Sequence, residues 1–167
     1  MYSLNAPVPG RVGALAGEIA RQLPAARART RGEHTLCVKR LANDTAYSRI
    51  EARAREALAG QPAVEARVDE VGVFEQPPVG TAPVVYLAVE SPGLVQLHEH
   101  LVATFESVSD EIEGESYVPH VTIARGGSVD TARRVAGEVD SIEWTVSELQ
   151  FWDAKHGQSV STVSLPA

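Results

Sequence analysis

Two of the five histidines, His34 and His120, lie in short β-prone runs, one in each half of the chain. The second run, residues 119–125, has the sequence PHVTIAR. Side chains alternate along a strand, so His120 and Thr122 are predicted to share one face while the apolar residues between and beyond them face the core. Imidazole exchanges protons near neutral pH, and a threonine hydroxyl or an arginine can bind phosphate oxygens. Together with Arg125, these residues indicate phosphodiester chemistry without a metal.

The other three histidines are predicted to lie outside any site. His98 and His100 are two residues apart in a predicted helix, so they point in different directions and form a poor chelating pair. Both are expected at the surface. His156 lies in a predicted turn and is expected to face solvent.

The pattern of apolar residues predicts the elements that must position His34 and His120. Strands are predicted at 2–6, 34–41, 63–74, 84–89 and 118–124 and as a closing hairpin of 142–152 with 159–165, and helices at 12–23, 45–59, 129–137 and after Pro92. Residues 25–33, 77–83 and the acidic segment 106–116 are predicted loops, the last of them mobile. This order favours an α+β protein with two similar lobes over a doubly wound parallel sheet.

The composition is typical of a globular protein. The 167 residues are 44% hydrophobic and 22% charged, which predicts a single two-lobed domain over residues 1–167. A single cysteine, Cys37, excludes an internal disulfide framework and a cysteine-rich zinc site. No apolar run is long enough to span a bilayer and no secretory signal is recognisable, so a cytoplasmic monomer without membrane association is expected.

Charge is unevenly distributed along the chain, whose net charge is −7. Residues 1–67 hold eleven basic and six acidic residues, whereas residues 68–167 hold four basic and sixteen acidic residues. A polyanion therefore needs a locally basic cleft to bind, because the long-range field repels it. A solvated arginine-rich surface is the alternative interpretation of the basic half.

Residues 119–125 resemble the second signature of the two-histidine phosphoesterase superfamily, in the branch of RNA 2′,3′-cyclic phosphodiesterases, also called 2′-5′ RNA ligases. The similarity covers nearly the whole chain, since residues 7–9, the strand 84–89 and the helical run 97–101 follow in family-like order. The resemblance implies an α+β fold with two pseudo-symmetric lobes of antiparallel sheet and outer helices around a central cleft. Each lobe lends one His-x-Thr/Ser strand to that cleft.

The first signature departs from the family pattern, because Thr35 follows His34 directly and Leu36 takes the place of the hydroxyl. Three interpretations stay open. A β-bulge re-aims Thr35 into the cleft. Alternatively, the site works with one hydroxyl fewer while Lys39 or Arg40 contributes charge. In the third interpretation catalysis is lost and the fold only binds RNA ends.

The resemblance implies metal-independent opening of a 2′,3′-cyclic phosphate at RNA ends, or ATP-independent joining of ends through a 2′-5′ bond, with no cofactor. The residues assigned on this basis are the base His120, the acid His34, the phosphate-binding Thr122, Arg125 and Thr35, and, for contacts with a base or the RNA, Tyr86, Tyr117, Lys39 and Arg40. The expected partners are RNA ends or nucleotides with a cyclic phosphate.

Three alternatives remain at this stage. A small cyclic nucleotide replaces the RNA end as substrate, or the chain is a catalytically weak or inactive module that binds RNA ends or nucleotides. A metallohydrolase with His34 and His120 as ligands is less favoured, since no carboxylate lies at a ligand spacing.

Overall fold

The computed structural model describes residues 1–41 and 45–166, which form two antiparallel sheets with helices packed against them. The elements in chain order are β1 (Tyr2–Ala6), α1 (Gly10–Ala20), β2 (Arg27–Ala28), β3 (Leu36–Leu41), α2 (Tyr47–Leu58), β4 (Val64–Phe74), β5 (Val84–Glu90), α3 (Pro92–Val102), a short 3-10 helix (Gly114–Ser116), β6 (His120–Arg125), α4 (Val129–Val135), β7 (Gly137–Val146), β8 (Glu148–Asp153) and β9 (Gln158–Ser164). The predicted α+β class is confirmed.

His34 precedes β3 of the first sheet, whereas His120 is the first residue of β6 in the second sheet. The first sheet has the strand order β3-β1-β8-β9, and the second has the order β2-β6-β5-β4-β7. Strand β2 comes from the first half of the chain, yet it pairs with β6 of the second sheet, Arg27 opposite Arg125. This short pairing brings the arginine-rich segment 21–33 next to the strand that carries His120.

Local sequence explains the principal helices. Helix α1 follows Pro9 and buries Val12, Ala16 and Ile19, which recur at helical spacing. Helix α3 begins after Ser91, whose hydroxyl accepts the Leu94 amide hydrogen. Buried apolar residues from both sheets and from all four helices form one hydrophobic cluster among the described residues.

Three sequence predictions about elements were wrong. The predicted strand 142–152 is divided at Ser147, where the chain leaves β7 in the second sheet and enters β8 in the first. The predicted loop 25–33 contains β2. The acidic segment 106–116 was predicted to be mobile. Its buried Glu113 side chain instead holds it in place by accepting hydrogen bonds from the amides of Arg40 and Val108.

Candidate active site

Strand β6 presents His120, Thr122 and Arg125 on one face. Val121, Ile123 and Ala124 are buried in the core, which confirms the predicted alternation around His120. Tyr86 of β5 lies opposite Thr122 and Val85 lies opposite Ala124, so Ile123 has no partner and forms a β-bulge. The bulge shifts the alternation by one residue, and Arg125 therefore returns to the face of His120.

The imidazole of His120 is oriented by one hydrogen bond and two aromatic rings. Its Nδ1 lies 2.7 Å from the carbonyl oxygen of Val118, which can only accept, so Nδ1 carries the proton and Nε2 keeps its lone pair. The rings of Phe74 and Tyr86 stack with centroids 4.0 Å apart, and both meet the imidazole edge-on at 5.4 and 5.6 Å. Gly72 makes room for this arrangement, because a Cβ atom added there would lie 2.5 Å from the Tyr86 ring.

The surroundings of His120 favour its neutral form. Burial lowers the pKa of the imidazole, and the positive charges of Arg40 and Arg125 lower it further, against the opposing effect of the Val118 hydrogen bond. A neutral imidazole with a free Nε2 is a competent general base.

Arg40 and Arg125 line the cavity of about 200 Å³ that His120 also lines, together with Cys37 and Tyr117; we call it the His120 cavity. Arg125 Nη1 donates a hydrogen bond of 2.9 Å to the carbonyl oxygen of Val79. Gly80, with φ +85°, permits this approach, since a Cβ atom added there would lie 2.5 Å from Arg125 Nη1. Burial lowers the pKa of Arg125, and Arg29 and Arg40 lower it further, so positive charges are crowded here. Two arginines against one lining carboxylate, Glu111, make this cavity suited to an anion.

On the first sheet, Thr35, Cys37 and Arg40 share a face and line an adjoining cavity. Leu36 is fully buried in the core. Strand β3 has its own bulge at Val38, since Leu4 pairs with Lys39 and Asn5 with Cys37. The spacing Thr35, Cys37, Arg40 therefore repeats the spacing His120, Thr122, Arg125. The bulge redirects Arg40 rather than Thr35, which already faces this side because Leu36 faces the core.

His34 lies one residue before Thr35 and is turned away from the His120 cavity. It lines a second cavity of about 690 Å³ beside α1, which we call the α1 cavity and which also includes Gly13, Gly17, Arg29 and Arg31. The His34 Nε2 atom is buried without a hydrogen-bond partner, and burial lowers the pKa of the imidazole. The structure does not bring the two predicted catalytic histidines into one cavity.

Lys39, predicted to contact RNA, is fully buried instead. Its ammonium forms an ion pair of 2.9 Å with Glu113 and donates to the carbonyl oxygens of Arg40 and Glu106. The bulge at Val38 places Lys39 in the core and Arg40 at the cavity, so the RNA-contact prediction for Lys39 was wrong.

Tyr117 connects the cavity wall to a buried histidine. Its hydroxyl donates to the carbonyl oxygen of Cys37 at 2.7 Å, and its ring stacks on His98 at 4.0 Å. His98, predicted at the surface, is fully buried; Nδ1 donates to the Val38 carbonyl and Nε2 accepts from the Gly114 amide. Tyr86 and Tyr117 therefore each have one ring face covered by a side chain of the protein.

Among the described residues, no group of three or more His, Cys, Asp or Glu side chains is arranged to hold a metal ion. Within the same residues, no helix has the length and apolar character needed to cross a membrane.

Sequence reasoning did not find the supporting residues of the site. Nothing in the sequence pointed to Phe74, whose ring contacts His120. Nor did it point to the Val79 carbonyl, which accepts a hydrogen bond from Arg125. The glycines at 72 and 80 were the available clue, since each allows a side chain to approach the backbone closely. Sequence reasoning did not identify Arg29, because its position beside the second sheet depends on the pairing of β2 with β6.

The family model of the 2′-5′ RNA ligase superfamily matches residues 35–158 of the sequence. The chain belongs to this superfamily. The matched region contains β3 and β6 and begins at Thr35, the residue after His34. Membership supports a phosphoesterase or ligase type of function. No curated protein matches the sequence.

Solved structures share the fold of this 2′-5′ RNA ligase superfamily member along its whole length. TT0787 of Thermus thermophilus superposes with a TM-score of 0.68 and 18% identity, covering 98% of this chain and 97% of that one. LigT of E. coli complexed with ATP has a TM-score of 0.67 and 16% identity, covering 99% and 97%. LigT complexed with 3′-AMP has a TM-score of 0.65 and 19% identity, covering 99% and 98%.

Proposed function

We propose that this protein opens the 2′,3′-cyclic phosphate at RNA ends without metal or ATP, with His120 as the general base. The observation that carries the proposal is the state of His120. Its proton is held on Nδ1 by the Val118 carbonyl, its Nε2 is free, and Arg40 and Arg125 line the same cavity. A base that activates water and positive groups that stabilise the growing charge on the phosphate oxygens are two requirements of phosphodiester hydrolysis.

In the proposed reaction, water attacks the phosphorus while His120 Nε2 removes a proton from it. The bond between phosphorus and one ribose oxygen breaks, that oxygen takes up a proton, and a phosphomonoester beside a free hydroxyl results. Arg40 and Arg125 bind the non-bridging oxygens, and the Thr122 hydroxyl donates to one of them as negative charge grows. If the 5′-hydroxyl of another RNA end attacks instead of water, His120 removes its proton, the bond between phosphorus and the 3′ oxygen breaks, that oxygen takes up a proton, and a 2′-5′ bond results.

The leaving oxygen also needs a proton donor. His34 was predicted as the acid, but its ring faces the α1 cavity. A catalytic His34 has to turn towards the His120 cavity when the substrate binds. Thr35, on the side of Arg40, is proposed as a phosphate-binding hydroxyl.

Nucleotide complexes of a protein with the same fold support the class of ligand. E. coli LigT has been solved with ATP, NADP+, 3′-AMP and phosphate. We propose that a terminal phosphate of a nucleotide or RNA end occupies the His120 cavity here.

The test is turnover of an oligonucleotide with a 2′,3′-cyclic phosphate, in EDTA and without ATP. We expect wild-type turnover to persist and His120→Ala to lower it by about 10²–10⁴-fold with an unchanged melting temperature. His100→Ala, on the exposed part of α3, is the matched control and keeps wild-type turnover. Loss of wild-type turnover in EDTA, or full activity of His120→Ala, contradicts the proposal.

A second candidate function is binding of RNA ends without turnover. It is favoured by the separation of His34 and His120 into two cavities, which leaves one imidazole in the His120 cavity. Tight binding of a 3′-phosphorylated oligonucleotide with no turnover of the cyclic form identifies this function. Equal turnover of the oligonucleotide and of mononucleotide 2′,3′-cyclic AMP instead indicates a small-nucleotide enzyme.

A further inference from the structure

The α1 cavity has the size and the walls of a nucleotide site. Its volume of about 690 Å³ lies within the usual range for small-ligand pockets. The wall formed by α1 includes the small residues Gly13, Ala14 and Gly17, and the other side carries Arg29, Arg31 and His34. At Gly17 an added Cβ would have nothing within 4 Å, so this wall is open.

The segment beside this cavity is strongly and locally basic. Residues 21–34 hold four arginines and one acid, Glu33, in a chain with a net charge of −7. All four arginines, at positions 21, 27, 29 and 31, are exposed, and in the described part of the chain none of them forms an ion pair. Glu18 is the carboxylate that lines the α1 cavity. Arg67 of β4 and Arg133 of α4, by contrast, pair with glutamates.

The basic segment pairs with β6, the strand whose His120 and Arg125 line the His120 cavity. Arg27 lies directly opposite Arg125 in the β2–β6 pairing, and like charges at such positions repel. The Arg29 amide donates to the Ile123 carbonyl, which fixes Arg29 beside the same strand. The positive charge of Arg29 lowers the pKa of both Arg125, in one cavity, and His34, in the other. Arg29 therefore lines the α1 cavity and is held by its amide at the strand that carries His120 and Arg125.

We propose that the α1 cavity binds the nucleotide preceding the reacting end of a single-stranded RNA, and that Arg29 and Arg31 bind its backbone phosphates. The inference rests on the proposed function for the place of the reacting end. It defines the substrate as an oligonucleotide rather than a mononucleotide. Bound phosphates also relieve the repulsion among the arginines.

The first test measures binding of a single-stranded RNA of eight nucleotides, the octamer, which carries a 5′-fluorophore and a 3′-phosphate. Binding is followed by fluorescence anisotropy at about 50–200 mM NaCl. Each phosphate contact contributes a slope of about −0.7 in the logarithm of affinity against the logarithm of salt. We expect the double variant Arg29→Gln/Arg31→Gln to reduce the slope by about 1.4. Arg49→Gln is the control, since Arg49 is an exposed arginine on α2. An unchanged slope in the double variant overturns the inference.

The second test fills the cavity with Gly17→Leu. Leucine is a better helix former than glycine and has open space here, so the melting temperature is expected to stay or to rise. We expect the octamer to bind about tenfold more weakly, because one nucleotide loses its contacts, and 3′-AMP to be affected less. Wild-type binding of the octamer by this variant overturns the inference, as does equal wild-type affinity for the octamer and 3′-AMP. Tighter binding of an RNA duplex of the same length overturns the single-stranded assignment.

These measurements separate the two proposals, since the 3′-phosphorylated probe requires no turnover. If the cyclic phosphate is not opened but the slope changes as expected, the proposed function fails and the binding inference holds. If turnover is normal and the slope is unaffected, the binding inference alone fails.

Discussion

Glu113 binds the ammonium of Lys39 at 2.9 Å and the main-chain amide of Arg40 at 3.0 Å. It also accepts the Val108 amide hydrogen. Burial raises the pKa of the Glu113 carboxyl, but these donors outweigh burial and the net pKa is below its usual value. A residue of the acidic segment therefore fixes the strand position from which Arg40 reaches the His120 cavity.

Replacing Glu113 by glutamine is expected to destabilise the fold strongly. The substitution leaves the buried ammonium of Lys39 without a counter-charge, which costs about 3–5 kcal/mol in the free energy of unfolding. Urea denaturation measures the change. The control is Glu75→Gln, which breaks the exposed pair with Arg133 and is expected to cost about 0–1 kcal/mol. Similar losses in the two variants contradict a special role of the buried pair.

The pH dependence of turnover is expected to report the lowered pKa of His120. The base must be unprotonated, and burial together with Arg40 and Arg125 lowers its pKa below 6.5. As pH falls, kcat/KM for the cyclic phosphate is therefore expected to decline only below pH 6.5. Arg40→Gln removes one positive charge, so the pKa rises and the decline begins at a higher pH. A decline already complete above pH 6.5 in the wild type argues against His120 as the base.

Two glycine substitutions separate backbone strain from the position of Arg125. Gly80→Ala and Gly60→Ala both place a side chain at positive φ, +85° and +78°, which costs about 1–2 kcal/mol each. At Gly80 the new methyl group also meets Arg125 Nη1, whereas nothing lies within 4 Å at Gly60. We expect similar losses of stability but a weaker affinity for inorganic phosphate only in Gly80→Ala, measured by calorimetry. Equal phosphate affinities contradict a role for Arg125 in anion binding.

The first signature is tested by exchanging hydroxyl and apolar groups at residues 35 and 36. Leu36 is fully buried, so Leu36→Thr places a hydroxyl in the core and is expected to lower stability by about 2–4 kcal/mol without raising turnover. Thr35→Ala is expected to weaken phosphate binding with little change in stability, because Thr35 faces the side of Arg40. Increased turnover of Leu36→Thr contradicts this assignment of the two side chains.

The elements that depend on local periodicity were predictable from the sequence. Strand β6 is an example, because its alternating apolar residues determine which side chains face the core. The order of strands and helices, with the resemblance at residues 119–125, was also enough to predict the α+β class.

The features that depend on distant partners were not predictable. Lys39 is buried because Glu113 neutralises it, and these residues are far apart in the chain. The bulges at Val38 and Ile123 arise from register with β1 and β5, so the direction of Arg40 and Arg125 could not be read locally. Adjacent residues of an extended chain point to opposite sides, so the fully buried Leu36 places Thr35 on the side of Arg40. His34 then points away from that side, towards α1.

The sheet order β3-β1-β8-β9 has a consequence for synthesis on the ribosome. Leu4 of β1 pairs with Lys39 on one side and with Phe151 of β8 on the other. A nascent chain that has not yet reached residue 148 lacks β8 and β9, so β1 and β3 form only a two-stranded ribbon, which is marginally stable in water. The segment of β3 that carries Cys37 and Arg40 is therefore fixed late, by the same strands that close the sheet. Until then β1 exposes an unpaired strand edge, which is prone to non-native pairing during translation.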